Sequence, residues 1–214
     1  MPVARCDMHN KITNAISSIL NVHAHTPYVF LTEDDVRCRL YSVLFNEFSD
    51  LRPTRDTIPQ QSISLHSEVR WYGNNGKLKY RSDIVVLDVA TLRVKELAGL
   101  QLPSKGYGFN IFHAIVEIKL RRANGGSDKQ FARGIENDLG KLNRIKEAVD
   151  PYNNESAKFY MLCLDNKGDI SDQVDGLRNA NGGFAISYSR LTTQPNNKEA
   201  APTQRNCIST VAKL

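Results

Sequence analysis

The sequence lacks several features that would assign it to a class at once. No run of apolar residues approaches the roughly 18 that a membrane-spanning helix needs. The four cysteines are at least 32 positions apart, which excludes a compact disulfide framework and a CxxC pair. Walker A, GxGxxG and GxSxG motifs are absent, so nucleotide hydrolysis, dinucleotide binding and serine hydrolase chemistry have no motif support. The first thirty residues carry charges and no long apolar segment, so we expect no secretory signal and a cytoplasmic location.

What the chain does contain fits a single globular domain. It has 214 residues, of which 41% are hydrophobic, enough to build a core without metals or disulfides. Its 28 basic and 23 acidic residues give a net charge of +5, which permits nucleic-acid binding without requiring it. We expect one domain over residues 1–190, opening with a helix, and a loose polar tail over 191–214.

Hydrophobic periodicity predicts an α/β order of elements. Apolar residues at helical spacing predict helices over 11–22, 32–48, 129–149 and 170–180. Apolar, β-branched runs predict strands over 62–72, 79–89, 111–120, 158–164 and 183–190. Two of these runs are continuously apolar, which favours strands that are covered on both faces. The predicted fold class is therefore α/β, with one mixed sheet flanked by helices.

Charged residues interrupt two of the apolar strands. Glu117 and Lys119 are two positions apart in the segment AIVEIKL, so they project from one face of the strand. Asp83 stands at the entry to the apolar run IVVL in the preceding long strand. Charges in a core strand are costly unless they are paired or bind a metal. If the two strands are neighbours, two carboxylates and an ammonium group converge at one position in the sheet.

Such a grouping suits the hydrolysis of phosphodiesters. Two carboxylates bind Mg²⁺ with few protein ligands, and the metal activates a bound water. Lys119 is expected to orient or deprotonate that water, or to neutralise the charge that develops on phosphorus, and partial burial beside a metal is expected to lower its pKa. The competing interpretation is an ordinary charge pair on an edge strand, with Asp83 a simple strand-entry residue.

These same residues resemble a known family. Asp83 in RSDIVVLD and Glu117-Ile118-Lys119 in VEIKL are similar to the motif of the PD-(D/E)xK nuclease superfamily, although Ser82 replaces the proline. The resemblance spans roughly residues 32–165 and implies a restriction-endonuclease-like mixed β-sheet flanked by α-helices. It also implies Mg²⁺-dependent hydrolysis of DNA, with Mn²⁺ as a substitute. Asp83 and Glu117 are then the metal ligands and Lys119 is catalytic.

A further carboxylate is expected from the first helix or the first strand, as in many family members. The candidates are Glu68 in HSEVRWY and Glu33 at a helix start. The pattern of Glu68, Arg81-Ser82-Asp83 and Glu117-Ile118-Lys119 resembles the nuclease modules of restriction and defence systems. Glu33 lies on the helix face that points toward the sheet, or it only stabilises the first helical turn. Both candidates stay open.

Basic residues follow the Glu-Ile-Lys segment. Residues 119–146 contain eight basic and three acidic residues. Arg121, Arg122 and Lys129 flank a Gly-Gly loop and are expected to bind phosphates, with Gln130 at the edge of the site. For the basic residues from Lys141 to Lys146 we expect an ordinary solvated helix face.

Two other functions remain open at this stage. One is a catalytically inactive protein of the same fold that binds nucleic acid or a partner protein, with its charges in closed salt bridges. The other is a nuclease that cleaves RNA. Cleavage of both DNA strands needs two sites, so a homodimer or a partner protein is a further expectation.

Overall fold

A computed structural model describes residues 3–26, 28–58, 60–72, 78–92, 111–149 and 157–191. The Gly-Asn-Asn-Gly segment at 73–76, where the sequence predicts a turn, most of the connection at 90–110 and the expected tail beyond 191 lie outside these residues. In the described part of the chain there are four α-helices: α1 (Val3–His25), α2 (Glu33–Phe48), α3 (Asp128–Val149) and α4 (Ser171–Ala180). None of them is both long and apolar enough to cross a membrane.

Seven strands accompany the helices in the described ranges. Two of them, β1 (Arg52–Pro53) and β2 (Gln61–Ser62), form a small antiparallel pair. The other five are β3 (Leu65–Tyr72), β4 (Leu78–Leu87), β5 (Phe112–Arg121), β6 (Lys158–Asp165) and β7 (Ala185–Arg190). They form one sheet in the order β3-β4-β5-β6-β7, antiparallel from β3 to β5 and parallel from β5 to β7.

Both faces of the sheet are covered, as the continuously apolar strands predicted. The first core layer lies between the sheet and helices α1 and α2, and it includes Leu40, Val116 and Ile118. The second core layer lies between the sheet and helices α3 and α4, and it includes Ile115 and Ile135. The predicted alternation of β5 is confirmed, because Val116, Ile118 and Leu120 all belong to the first layer.

Most predicted elements are confirmed, and the differences have local causes. Helix α2 begins as predicted, because Thr32 and Asp35 form a reciprocal capping box. Helix α1 begins eight residues before its predicted start, in a segment without a clear apolar stripe, where His9 contacts the Tyr160 hydroxyl at 2.5 Å. The strand predicted over 62–72 is two strands, β2 and β3, because the chain passes from the small pair into the large sheet at Ser64.

Candidate active site

Strands β3 and β4 are antiparallel neighbours. Partway along both strands, at positions that lie opposite each other, the side chains exchange the two faces of the sheet. Leu65 packs in the first core layer, whereas Val69, four residues later, packs in the second. In a regular strand both would lie on one face. The change occurs at Glu68, whose φ of 57° lies in the left-handed region that non-glycine residues rarely adopt. Opposite Glu68 on β4 lies Asp83, since the flanking pairs are Ser67 with Ile84 and Val69 with Ser82.

Strand β4 also leaves β5 at this level. The ladder between them runs from Leu87 to Ile84 and ends with the Ile84–Val116 pair. The next residue, Asp83, bonds to β5 through its side chain, since the backbone N–H of Ile118 donates to Asp83 Oδ2 at 2.8 Å. Ile118 stands between Glu117 and Lys119. The structure therefore brings Asp83 of one strand against the Glu-Ile-Lys segment of the next, and the charge of Asp83 affects the pKa of both Glu117 and Lys119.

Glu117 is a buried carboxylate with one oxygen paired and one bare. Only 2% of the residue is exposed. Lys141 of α3 donates to Oε2 at 2.6 Å, and the nearby Ser82 hydroxyl also lowers the pKa of this carboxyl. Oε1 has no partner at hydrogen-bonding geometry among the described residues. Burial raises the pKa of Glu117 to about 8 against the opposing charge of Lys141, and Asp83 raises it further. A buried carboxylate in this state is unstable as an anion unless more positive charge reaches it.

Lys119 crosses from β5 toward α3. Its ammonium lies 3.0 Å from Asp138 and 3.8 Å from Glu33. Its stem passes over Gly134 of α3, where a Cβ atom would lie 3.1 Å from Lys119 Cε. Burial lowers the pKa of Lys119, but Asp138 and Glu33 outweigh burial and raise it above the usual value. In this metal-free arrangement the pKa of Lys119 is therefore raised, and the expected lowering of its pKa beside a bound metal stays a prediction.

The two candidate outer carboxylates occupy different positions. Glu33 accepts from the backbone N–H of Leu120 at 3.2 Å, so it reaches β5 directly from the first turn of α2. Glu68 is paired with Arg37 of α2 and with Arg81 at 2.8 Å. Arg37 in turn lies 3.4 Å from Asp83. Glu33 thus contacts the Glu-Ile-Lys strand, whereas Glu68 reaches Asp83 through an arginine.

We call these connected groups the ionic cluster. Its members are six carboxylates and four basic groups: Glu33, Asp34, Glu68, Asp83, Glu117 and Asp138, with Arg37, Arg81, Lys119 and Lys141. With every carboxylate ionised, acidic groups exceed basic groups by two, and the bare Glu117 Oε1 lies among them. The surplus of negative charge and the unpaired hard oxygen fit a small divalent cation.

Four members of the ionic cluster were not predicted as site residues from the sequence: Asp34, Arg37, Asp138 and Lys141. The solvated helix face expected for Lys141 is wrong, because its side chain is only 20% exposed and its ammonium donates to Glu117. A signal was present, since Asp138 and Lys141 are one helical turn apart and border the apolar stripe that contains Ile135 and Leu142. Arg37 likewise lies one turn after Glu33 on α2.

Arg121 does not occupy the position expected of a phosphate-binding residue. Its side chain is 2% exposed and donates to both oxygens of Asp165, at 2.8 and 2.5 Å. Asp128 is a second partner at 2.5 Å, and the guanidinium lies over the ring of Phe131. Arg121 is buried because β6 places a carboxylate directly beside it, and the group therefore stabilises the fold.

The other expected nucleic-acid contacts lie on the surface. Arg122 and Lys129 are exposed and have no ion-pair partner among the described residues. Gln130 is exposed, but its side-chain oxygen accepts from the backbone N–H of Ser127 at 2.8 Å and so caps the start of α3. Arg122 and Lys129 thus keep exposed cationic groups beside the Gly-Gly loop, and Lys167 donates to the loop carbonyls of Gly125 and Gly126.

The carboxylates do not form a dense metal-binding cluster. In the described ranges no group of three or more His, Cys, Asp or Glu residues has the arrangement to hold a metal ion. Mg²⁺ needs fewer protein ligands, since it keeps several waters and is commonly bound through one or two carboxylates. Asp83 lies near enough to Glu117 for its charge to raise the pKa of Glu117, and Glu117 Oε1 is buried without a hydrogen-bond partner among the described residues.

Comparison with known proteins identified no relative. No family model matches the chain. No curated protein and no solved structure matches it either.

Proposed function

We propose that this chain is a Mg²⁺-dependent nuclease with a restriction-endonuclease-like fold that hydrolyses DNA phosphodiester bonds. The mixed five-stranded sheet between two helical layers is compatible with that fold. The observation that carries the proposal is the bond from the Ile118 N–H to Asp83. It joins the acid of β4 to the Glu-Ile-Lys segment of β5 at the point where the two strands separate.

Asp83 and Glu117 would hold the metal. Both present carboxylate oxygens, which Mg²⁺ prefers, and Mn²⁺ accepts the same ligands. When bound, the ion would supply Lewis-acid polarisation of the phosphodiester and a water of lowered pKa. The raised pKa of Glu117 supports this role, because a carboxylate that is held at a desolvation cost gains the most from an added cation.

Lys119 would act as a cation rather than as a base. Asp138 and Glu33 hold its ammonium in the protonated form, so it is suited to orient water and to neutralise charge that develops on the phosphate. Glu33 contacts the Lys119 ammonium from α2. Of the two outer carboxylates, Glu33 is therefore the one that would lie next to a proposed catalytic group. Glu68 instead positions Asp83 through Arg37.

Arg122 and Lys129 would contact the substrate backbone. Both are exposed beside the loop that follows β5, and phosphate contacts of this kind carry no base information. The proposed substrate is DNA, and RNA is the alternative, because nothing in these contacts selects the sugar.

Cleavage of supercoiled plasmid in Mg²⁺ or Mn²⁺ tests the proposal. We expect nicking by the wild type and a loss of at least about 100-fold in Asp83→Asn and Lys119→Met, since each removes a group that acts on developing charge. Glu136→Gln, an exposed change on α3, is the matched control and should nick normally. Full activity in both Asp83→Asn and Lys119→Met would refute the assignment.

A parallel assay on single-stranded RNA decides between DNA and RNA as the substrate. Linear plasmid product at low enzyme concentration would indicate that the nuclease acts as a dimer.

A second candidate function is supported by a separate observation. Both proposed ligands already have cationic partners, Asp83 with Arg37 and Glu117 with Lys141. A closed salt-bridge network of this kind suits an inactive protein of the same architecture that binds nucleic acid or a partner. The absence of any Mg²⁺ or Mn²⁺ effect on the melting temperature, together with DNA binding, would favour this candidate.

A further inference from the structure

Lys141 occupies the position of a counter-ion to Glu117. Its ammonium donates to Glu117 Oε2 at 2.6 Å and to the backbone carbonyl of Arg81 at 3.1 Å. These two bonds place the positive charge between β4 and β5, beside Glu117 Oε1, a buried oxygen that has no hydrogen-bond partner among the described residues. The ammonium therefore fills much of the electrostatic role that a bound cation would have at Glu117.

A second acceptor for Lys141 is already within reach. Asp138 lies one helical turn earlier on α3, and its Oδ1 is 3.8 Å from the Lys141 ammonium. Asp138 is partly exposed, at 22% of its side chain, whereas the Glu117 side chain is 3% exposed. Lysine carries its charge on a flexible four-carbon stem, so a short movement transfers the ammonium from Glu117 to Asp138.

We propose that Lys141 is the resident counter-ion of Glu117, and that a divalent metal ion binds by displacing its ammonium toward Asp138. This inference rests on the proposed function, since it requires the metal site at Asp83 and Glu117. Its consequence is competition: the ammonium stabilises the buried carboxylate before metal binds, and it weakens metal binding by the same interaction. Lys141 is thus a positioning residue that sets metal affinity.

Metal binding to variants of Lys141 tests the inference. Lys141→Gln removes the charge and keeps a hydrogen-bonding group, and Lys141→Met is a second neutral variant of similar length. We expect Mn²⁺ to bind the neutral variants at least about tenfold more tightly than the wild type, because a unit charge next to the ligand opposes the ion. Lys141→Arg keeps the charge and should remain close to the wild type. Arg133→Gln also removes one positive charge from α3, but at an exposed position, so it should leave the Mn²⁺ affinity unchanged.

The measurement is isothermal titration calorimetry with MnCl₂, supported by the paramagnetic resonance signal of free Mn²⁺ and by circular dichroism to check folding. Equal or weaker binding in both neutral variants, with clear binding by the wild type, would overturn the role of Lys141 and leave the metal site standing. Binding by a neutral variant but not by the wild type would support competition in its strongest form. If neither the wild type nor either neutral variant binds Mn²⁺, the inference and the proposed metal site both fail.

Discussion

Replacing Glu117 with glutamine should stabilise the protein at alkaline pH, even though it removes a proposed catalytic group. The carboxylate has a folded-state pKa of about 8 against an ordinary value of 4.5. The folded state therefore binds more protons than the unfolded state between these two values, and the wild type loses stability as pH rises from 4.5 to 8. Glutamine does not titrate, so the variant does not share this loss.

The size of the effect follows from the pKa difference. Each pKa unit corresponds to about 1.4 kcal/mol, so the desolvated charge costs at most roughly 4–5 kcal/mol above pH 8. The pKa of about 8 already includes the attraction of Lys141, which lowers it, so this attraction is not subtracted a second time. We therefore expect Glu117→Gln to gain about 3–4 kcal/mol of stability on the wild type between pH 5 and pH 8.

Urea unfolding in EDTA at pH 5 and pH 8 measures this difference. The single tryptophan, Trp71, is buried against Phe112 and reports on the core by fluorescence. Glu136→Gln, an exposed change on α3, is the control and should show no such pH dependence. The reasoning is refuted if the advantage of Glu117→Gln does not grow between pH 5 and pH 8.

Three further outcomes are expected from other positions. Arg121→Met should lower the free energy of unfolding by about 3 kcal/mol, because it leaves Asp165 buried without its main partner. In the same urea series, the exposed partner change Asp128→Asn should cost less than about 1 kcal/mol, and equal losses would contradict the burial argument. Gly140→Ala should stabilise α3 by about 0.5–1 kcal/mol, whereas Gly134→Ala should gain less and slow nicking, because its Cβ displaces Lys119. Equal stability and activity in the two alanine variants would contradict that contact. The double change Arg122→Gln and Lys129→Gln should lower the number of counterions released on DNA binding by about two. This number is read from the slope of log affinity against log salt concentration, and an unchanged slope would exclude these phosphate contacts.

The elements that carry the site were predictable because their patterns are local. The alternation of Glu117 and Lys119 with Val116 and Ile118 determines which side of β5 is charged, and the structure retains that arrangement. The capping box at Thr32 similarly fixes the start of α2, and with it the position of Glu33. Both features depend on residues a few positions apart.

The partners of the charged groups were not predictable in the same way. Lys141 reaches Glu117 only because α3 packs across β5, and Arg121 is buried only because β6 places Asp165 beside it. The left-handed conformation of Glu68, which changes the face of β3, has no glycine or other local signal. Tertiary packing therefore decides which charges are paired and which are free to meet a ligand.

The most direct test of the account is a crystal of the protein soaked in MnCl₂ and measured at a wavelength that reveals manganese by anomalous scattering. We expect one strong peak in contact with both Asp83 and Glu117, with the Lys141 ammonium moved from Glu117 toward Asp138. A Glu117 carboxylate still held by Lys141, with no manganese peak beside Asp83, would contradict the metal site and the hydrolytic function built on it.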